Sequence, residues 1–165
     1  MLLHRIDWVL AIGFVIAVPL VTDANILGRN QRIRAKGRVI CPSDPSKAQN
    51  VQVDLMDDDD FGIDDQMDDD RTDGNGHFEL DGSAKEITPI DPEVRIYHDC
   101  NDFTSLKVPG RSSKTEQQLT EKPCQREIII KIPDRYINRL DEQAIMDLGE
   151  INLEMEYHSE SRSCF

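Results

Sequence analysis

No two cysteines form a Cys-x-x-Cys pair, so the common zinc spacings are absent. No Asn-x-Ser/Thr triplet occurs, so N-glycosylation is not expected. Aromatic residues make up 5% of the chain and hydrophobic residues 38%, a modest supply for a core. Basic charge is short: 19 Lys and Arg stand against 32 Asp and Glu, a net charge of −13. That balance argues against nucleic-acid binding through a general basic surface. No apolar run is long enough for a typical membrane span. The longest, Trp8–Val21, has 14 uncharged residues, follows His4 and Arg5, and precedes Thr22-Asp23-Ala24. It reads as the core of a cleaved signal peptide over 1–24, with an uncleaved anchor as the alternative. The mature chain is then expected to be soluble, secreted and extracellular, with no further membrane segment.

Four cysteines are present, Cys41, Cys100, Cys124 and Cys164, an even number that suits two disulfides in an exported chain. Four cysteines allow three pairings. Strand positions favour Cys100–Cys124, stapling the polar segment between them, with Cys41–Cys164.

The chain reads as a series of short strands. Residues 25–34 are a lead-in and the start of the first strand. Ile33, Ala35, Gly37, Val39 and Cys41 then alternate with bases. Arg29, Arg32, Arg34, Lys36 and Arg38 put five bases in ten residues without an acid. A strand with a charged outer face and a processing site at Arg29–Arg32 both fit; period two favours the strand. Val51, Val53 and Leu55 mark a second strand. Between Asp57 and Asp70, nine of 14 residues are aspartate: Asp57, Asp58, Asp59, Asp60, Asp64, Asp65, Asp68, Asp69 and Asp70. Aspartate disfavours strands and favours loops, so this predicts a long acidic loop with a short edge strand near Gln66–Thr72.

Asp73-Gly74-Asn75-Gly76 is a turn leading to a strand with Phe78 and Leu80 on one face, ended by Gly82. Pro89 and Pro92 bracket a rigid connector. Val94, Ile96, His98 and Cys100 share a face of the next strand. Residues 101–122 are polar and loop-like. Ile128, Ile129, Ile130 and Ile132 predict a buried central strand stopped by Pro133. Arg135–Leu148 has room for a helical turn or two. Ile151, Leu153, Met155 and Tyr157 predict the final strand. The expected core is Val39, Val51, Val53, Leu55, Phe78, Leu80, Val94, Ile96, Ile128, Ile130, Ile132, Ile151, Leu153 and Met155. The fold class is an all-β, antiparallel β-sandwich of about seven strands over 35–165.

Several stretches, in order, carry a family resemblance: Gly37–Cys41, Asn50–Leu55, Thr72–Leu80, Glu86-Ile87, Ile90-Asp91-Pro92, Ile96–Asp102 and Ile151–Leu153. Together they resemble the transthyretin-like family of secreted nematode proteins. The resemblance covers about residues 35–164. It implies a transthyretin-type sandwich, disulfides, extracellular residence and a binding or signalling role. The transthyretin fold also hosts 5-hydroxyisourate hydrolase, whose chain ends in Tyr-Arg-Gly-Ser. This chain ends Arg162-Ser163-Cys164-Phe165, so a hydrolase of that type is the disfavoured alternative.

No catalytic residue, metal site or cofactor is expected. His98, on an apolar face, reads as packed and hydrogen-bonded, and His77 as solvated. The EF-hand spacing does not occur in the aspartate run, which reads as a self-repelling loop, with weak Ca²⁺ association of its carboxylates as the alternative. The candidate binding surface is Arg32, Arg34 and Lys36 on the basic strand, with Asp57, Asp58, Asp59, Asp60, Asp68, Asp69 and Asp70 on the acidic loop. Such surfaces suit a partner recognised partly by charge, so binding should weaken as salt rises. The partner is an unspecified protein, lipid or small hydrophobic ligand at the cell surface or in extracellular fluid.

Overall fold

Period-two alternation in the sequence becomes two packed sheets, because each strand hides only one face. A computed structural model of the protein describes residues 28–59, 63–102, 124–138 and 144–164. The strands are β1 (Arg29–Ile40), β2 (Gln52–Asp57), β3 (Asp65–Arg71), β4 (His77–Glu86), β5 (Pro92–His98), β6 (Gln125–Lys131), β7 (Met146–Asn152) and β8 (Glu160–Ser163). One sheet has the order β4-β1-β7 and the other β3-β2-β5-β6-β8. Every ladder is antiparallel except β1–β7, which is parallel.

The core lies between the sheets. Ile33, Ala35 and Val39 from β1 and Phe78 and Leu80 from β4 meet Val53, Leu55, Val94, Ile96 and Ile128. Burying each large aliphatic side chain is worth about 1.5–3 kcal/mol. Twelve of the fourteen expected core residues are buried. Ile130 is only half-buried, and Met155 is 56% exposed because the chain has already left the sheet there.

Four strand boundaries differ from the sequence reading. β1 begins at Arg29, because β4 is long enough to pair with it from the start: Arg29 stands opposite Glu86. β4 passes through Gly82 instead of ending there. Gly82 marks a close approach of the two sheets: a Cβ there would lie 2.7 Å from the Met67 Cβ and 2.8 Å from the Leu55 Cδ2. In place of the helical turns expected over 135–148 there is a short 3₁₀ turn at Asp134–Tyr136, and Met146 already belongs to β7. The open edge of β1 recruits that segment, overriding a weak local preference. The expected final strand ends at Asn152, where the Asn152 side chain accepts the Glu154 N–H in a turn. The last strand is β8, polar throughout, which no alternation announced. Residues 103–123, most of the expected polar loop, lie outside the described residues.

Candidate functional site

The outward face of β1 carries the bases, and its neighbours carry acids opposite them. Arg32 is bonded to Asp81, Arg34 to Glu79 at 2.9 Å, Lys36 to Asp147 at 3.4 Å and Arg38 to Glu150 at 2.9 Å. The Asp81 hydrogen bond raises the Arg32 pKa, and the same contact lowers that of Asp81. The basic stripe is therefore a ladder of cross-strand ion pairs, each worth little at an exposed surface. Arg32, Arg34 and Lys36, expected on a charged binding surface, are each paired with an acid of a neighbouring strand.

The aspartate run holds the edge strand expected near Gln66–Thr72. Residues 65–71 form β3, which pairs with β2 through a bulge at Met67. Asp68 and Asp70 stand opposite Leu55 and Val53, the inward positions of β2. Their carboxylates reach across to the other sheet. Asp68 accepts the Asp81 N–H at 2.7 Å, and Asp70 accepts the Glu79 N–H at 3.0 Å. Exposed Asp69 accepts from Gln66. Asp58 pairs with Lys131 at 2.8 Å, which lowers its pKa. Asp57 is buried at the end of β2, and Asp59 lies beside it. Asp60 is outside the described residues.

Two open grooves flank these elements. One, of about 690 Å³, is lined by Lys36, Arg38, Asp70, Arg71, His77 and Glu150 among others. The other, of about 870 Å³, is bordered by Ile129, Ile130, Leu148, Ile151 and Tyr157, with Arg95 and Lys131 among its charged residues. Its exposed surface is mainly apolar.

The interior holds polar groups that the sequence reading missed. Arg126 is buried beside Cys100 and bonds the carbonyls of Cys100 (3.1 Å), Leu153 (3.0 Å) and Met155 (2.9 Å) and both carboxylate oxygens of Glu160. The signal was available: Arg126 shares a face with Ile128 and Ile130, so it had to point inward. His98 is 1% exposed, as its apolar face implied, but neither ring nitrogen has a hydrogen-bond partner among the described residues. Burial, reinforced by nearby Arg126, depresses its pKa to about 4. It is neutral at physiological pH. His77 is exposed at the start of β4, in the other sheet.

The disulfides are Cys41–Cys100, with Cα atoms 5.9 Å apart, and Cys124–Cys164, at 4.2 Å. Both expected pairings are thus replaced. Cys41 follows β1 and Cys100 follows β5, so the first bridge ties the two sheets through the core. Gln125 stands opposite Ser163, so Cys124 and Cys164 are the next position outward on the β6–β8 ladder. Without β8, that register could not be seen.

Among the described residues, no helix is long and apolar enough to cross a membrane. A family model described as the transthyretin-like family matches residues 36–133. Transthyretin-like protein 5 of Caenorhabditis elegans is 40% identical over 141 residues, covering 84% of this chain and 88% of the relative. Transthyretin-like protein 2 of the same organism is 34% identical over 161 residues, covering 93% and 96%. Transthyretin-like protein 33 is 33% identical over 136 residues, covering 81% and 82%.

Proposed function

The chain belongs to the transthyretin-like family, and from that premise we propose that it is a secreted, non-catalytic binding protein. Its ligand is a small hydrophobic molecule, or the apolar part of a lipid or protein, met at the cell surface or in extracellular fluid. The groove of about 870 Å³ bordered by Ile129, Ile130, Leu148 and Ile151 carries this reading. It has the size and lining of a ligand site. Its walls come from β6 and β7, one from each sheet, in a frame held by two disulfides. Disulfides persist in oxidising compartments, which supports the secreted reading. The matched charges on β1 and its neighbours turn the expectation away from electrostatic capture and towards apolar contact.

The test is titration of the oxidised, purified protein with an uncharged fluorescent apolar probe. Saturable binding that Ile129→Asp weakens at least tenfold, with little salt dependence, supports the reading. The variant Arg32→Gln/Arg34→Gln/Lys36→Gln leaves that affinity unchanged. Saturable binding that the triple variant removes would locate recognition on the charged strand instead. Turnover of 5-hydroxyisourate by the wild-type protein overturns the non-catalytic reading. N-terminal sequencing of the exported protein tests secretion, and recovery of a membrane-held chain beginning at Met1 contradicts it.

A further inference from the structure

Val51, Val53, Leu55 and Asp57 point to the same side of the β2 region. The first three are core residues. Asp57 takes the last inward position and is 2% exposed. Its Oδ1 accepts the Asp91 N–H at 2.7 Å, but its Oδ2 has no hydrogen-bond partner among the described residues. A buried carboxylate oxygen without a partner is costly and calls for a counter-charge or a proton.

Two more acids converge on it. Asp59 follows β2, and Glu86 ends β4 in the opposite sheet. One oxygen each from Asp57, Asp59 and Glu86 lies within 4.8 Å of the others. Burial raises the Asp57 pKa, its bond to the Asp91 N–H opposes this, and the charges of Glu86, Asp59 and Asp91 add to the rise. Arg29 faces Glu86 across the β1–β4 ladder but is solvent-exposed.

We propose that Asp57, Asp59 and Glu86 hold a divalent cation, Ca²⁺ by its chemistry, which ties the end of β2 to the end of β4 and so clamps the two sheets together. The donors are all hard oxygens, which suit Ca²⁺ and Mg²⁺ rather than zinc or copper. Ligands from two sheets, one of them on a segment following a strand, give the tolerant geometry that Ca²⁺ accepts and Mg²⁺ does not. Three carboxylates leave positions for water, so the affinity belongs to the weak extracellular range of about 10⁻⁴–10⁻³ M. This site is separate from the apolar groove and stands whether or not that groove binds a ligand.

The test uses the oxidised full chain, stripped with a chelator and titrated with CaCl₂ at pH 7.5 by calorimetry and thermal melting. One site is expected, and 10 mM Ca²⁺ should raise Tm by about 4 °C. The same concentration of Mg²⁺ should give less than half that shift. Asp57→Asn should abolish the Ca²⁺ increment yet melt at or above wild type in chelator, because it removes a buried charge. Glu86→Gln, at a half-buried position, keeps the fold and should weaken binding at least tenfold. Three outcomes overturn the proposal. One is the absence of any Ca²⁺-dependent heat or Tm shift. Another is an increment that persists in both variants, which would put the ion on other aspartates. The third is a Tm insensitive to Ca²⁺ but raised by acidification from pH 7 to 5 in wild type and not in Asp57→Asn, which would show that the oxygen holds a shared proton.

Discussion

The Asp68 carboxylate of β3 accepts the backbone N–H of Asp81 on β4 at 2.7 Å, joining the edge strands of opposite sheets. Asp70 repeats the bond with Glu79, two residues along each strand. Glu79 and Asp81 belong to an edge strand whose other side pairs with β1. An exposed edge invites pairing with another chain, and here side-chain carboxylates cover it.

Asp68→Ala combined with Asp70→Ala should therefore destabilise the protein by about 2–3 kcal/mol, since each bond has a charged acceptor. It should also promote self-association through β4. Asn at both positions keeps a side-chain oxygen and should cost less. Urea midpoints and light scattering of the two double variants check this; equal stability of the Ala variant and wild type would show that the bonds contribute nothing.

His98 makes the fold acid-sensitive. Its pKa is about 4 in the folded protein and about 6.5 in an unfolded chain. Between those values the unfolded chain binds a proton that the folded one refuses. Stability contributed by neutral His98 is thus complete above about pH 6.5 and is lost as pH falls towards 4, by about 3 kcal/mol in all. Asp54 and Asp57, whose pKa values burial raises, act in the opposite sense at low pH. Comparing wild type with His98→Leu separates the two effects: the variant should lose less stability between pH 6.5 and 4 in urea titrations. Parallel curves would remove His98 as the cause.

Arg126 and Glu160 should behave as a unit. Arg126→Met leaves Glu160 and three main-chain carbonyls without their cation, at an expected loss of about 3–5 kcal/mol. Removing both charges, as Arg126→Met with Glu160→Leu, should cost less than the sum of the single changes. A double-mutant cycle in urea measures that coupling; additive losses would mean the pair is not interacting.

The bridges close chain separations of 59 and 40 residues. Loop entropy alone makes each worth about 4 kcal/mol. Replacing Cys41 and Cys100 by Ala should nevertheless be the more damaging change, because both are buried in the core. Peptide mapping of the oxidised protein should find Cys41 joined to Cys100 and Cys124 to Cys164. Thermal melts of the two double variants then rank the bridges, and the reverse order would discount the core contribution.

What the sequence by itself determined was the strand-forming face of each segment. Val51-Val53-Leu55, Phe78-Leu80 and Val94-Ile96 alternate within a few residues, and pleat geometry turns that local pattern directly into burial. Family membership followed from the order of such segments. The tertiary structure alone decided everything that depends on which strands are neighbours. The edge strand expected near Gln66–Thr72 is β3, but that its aspartates accept N–H groups of β4 depends on how the two sheets pack. β8 has no apolar alternation and exists only as the partner of β6, and the Cys124–Cys164 bridge follows from their register. The β1 bases are matched only because β4 and β7 flank that strand with acids. Asp57 and Arg126 sit at inward positions that alternation marks, but whether a buried charge finds a partner depends on groups arriving from other strands. That pairing is a non-local electrostatic fact, and no short window of sequence contains it.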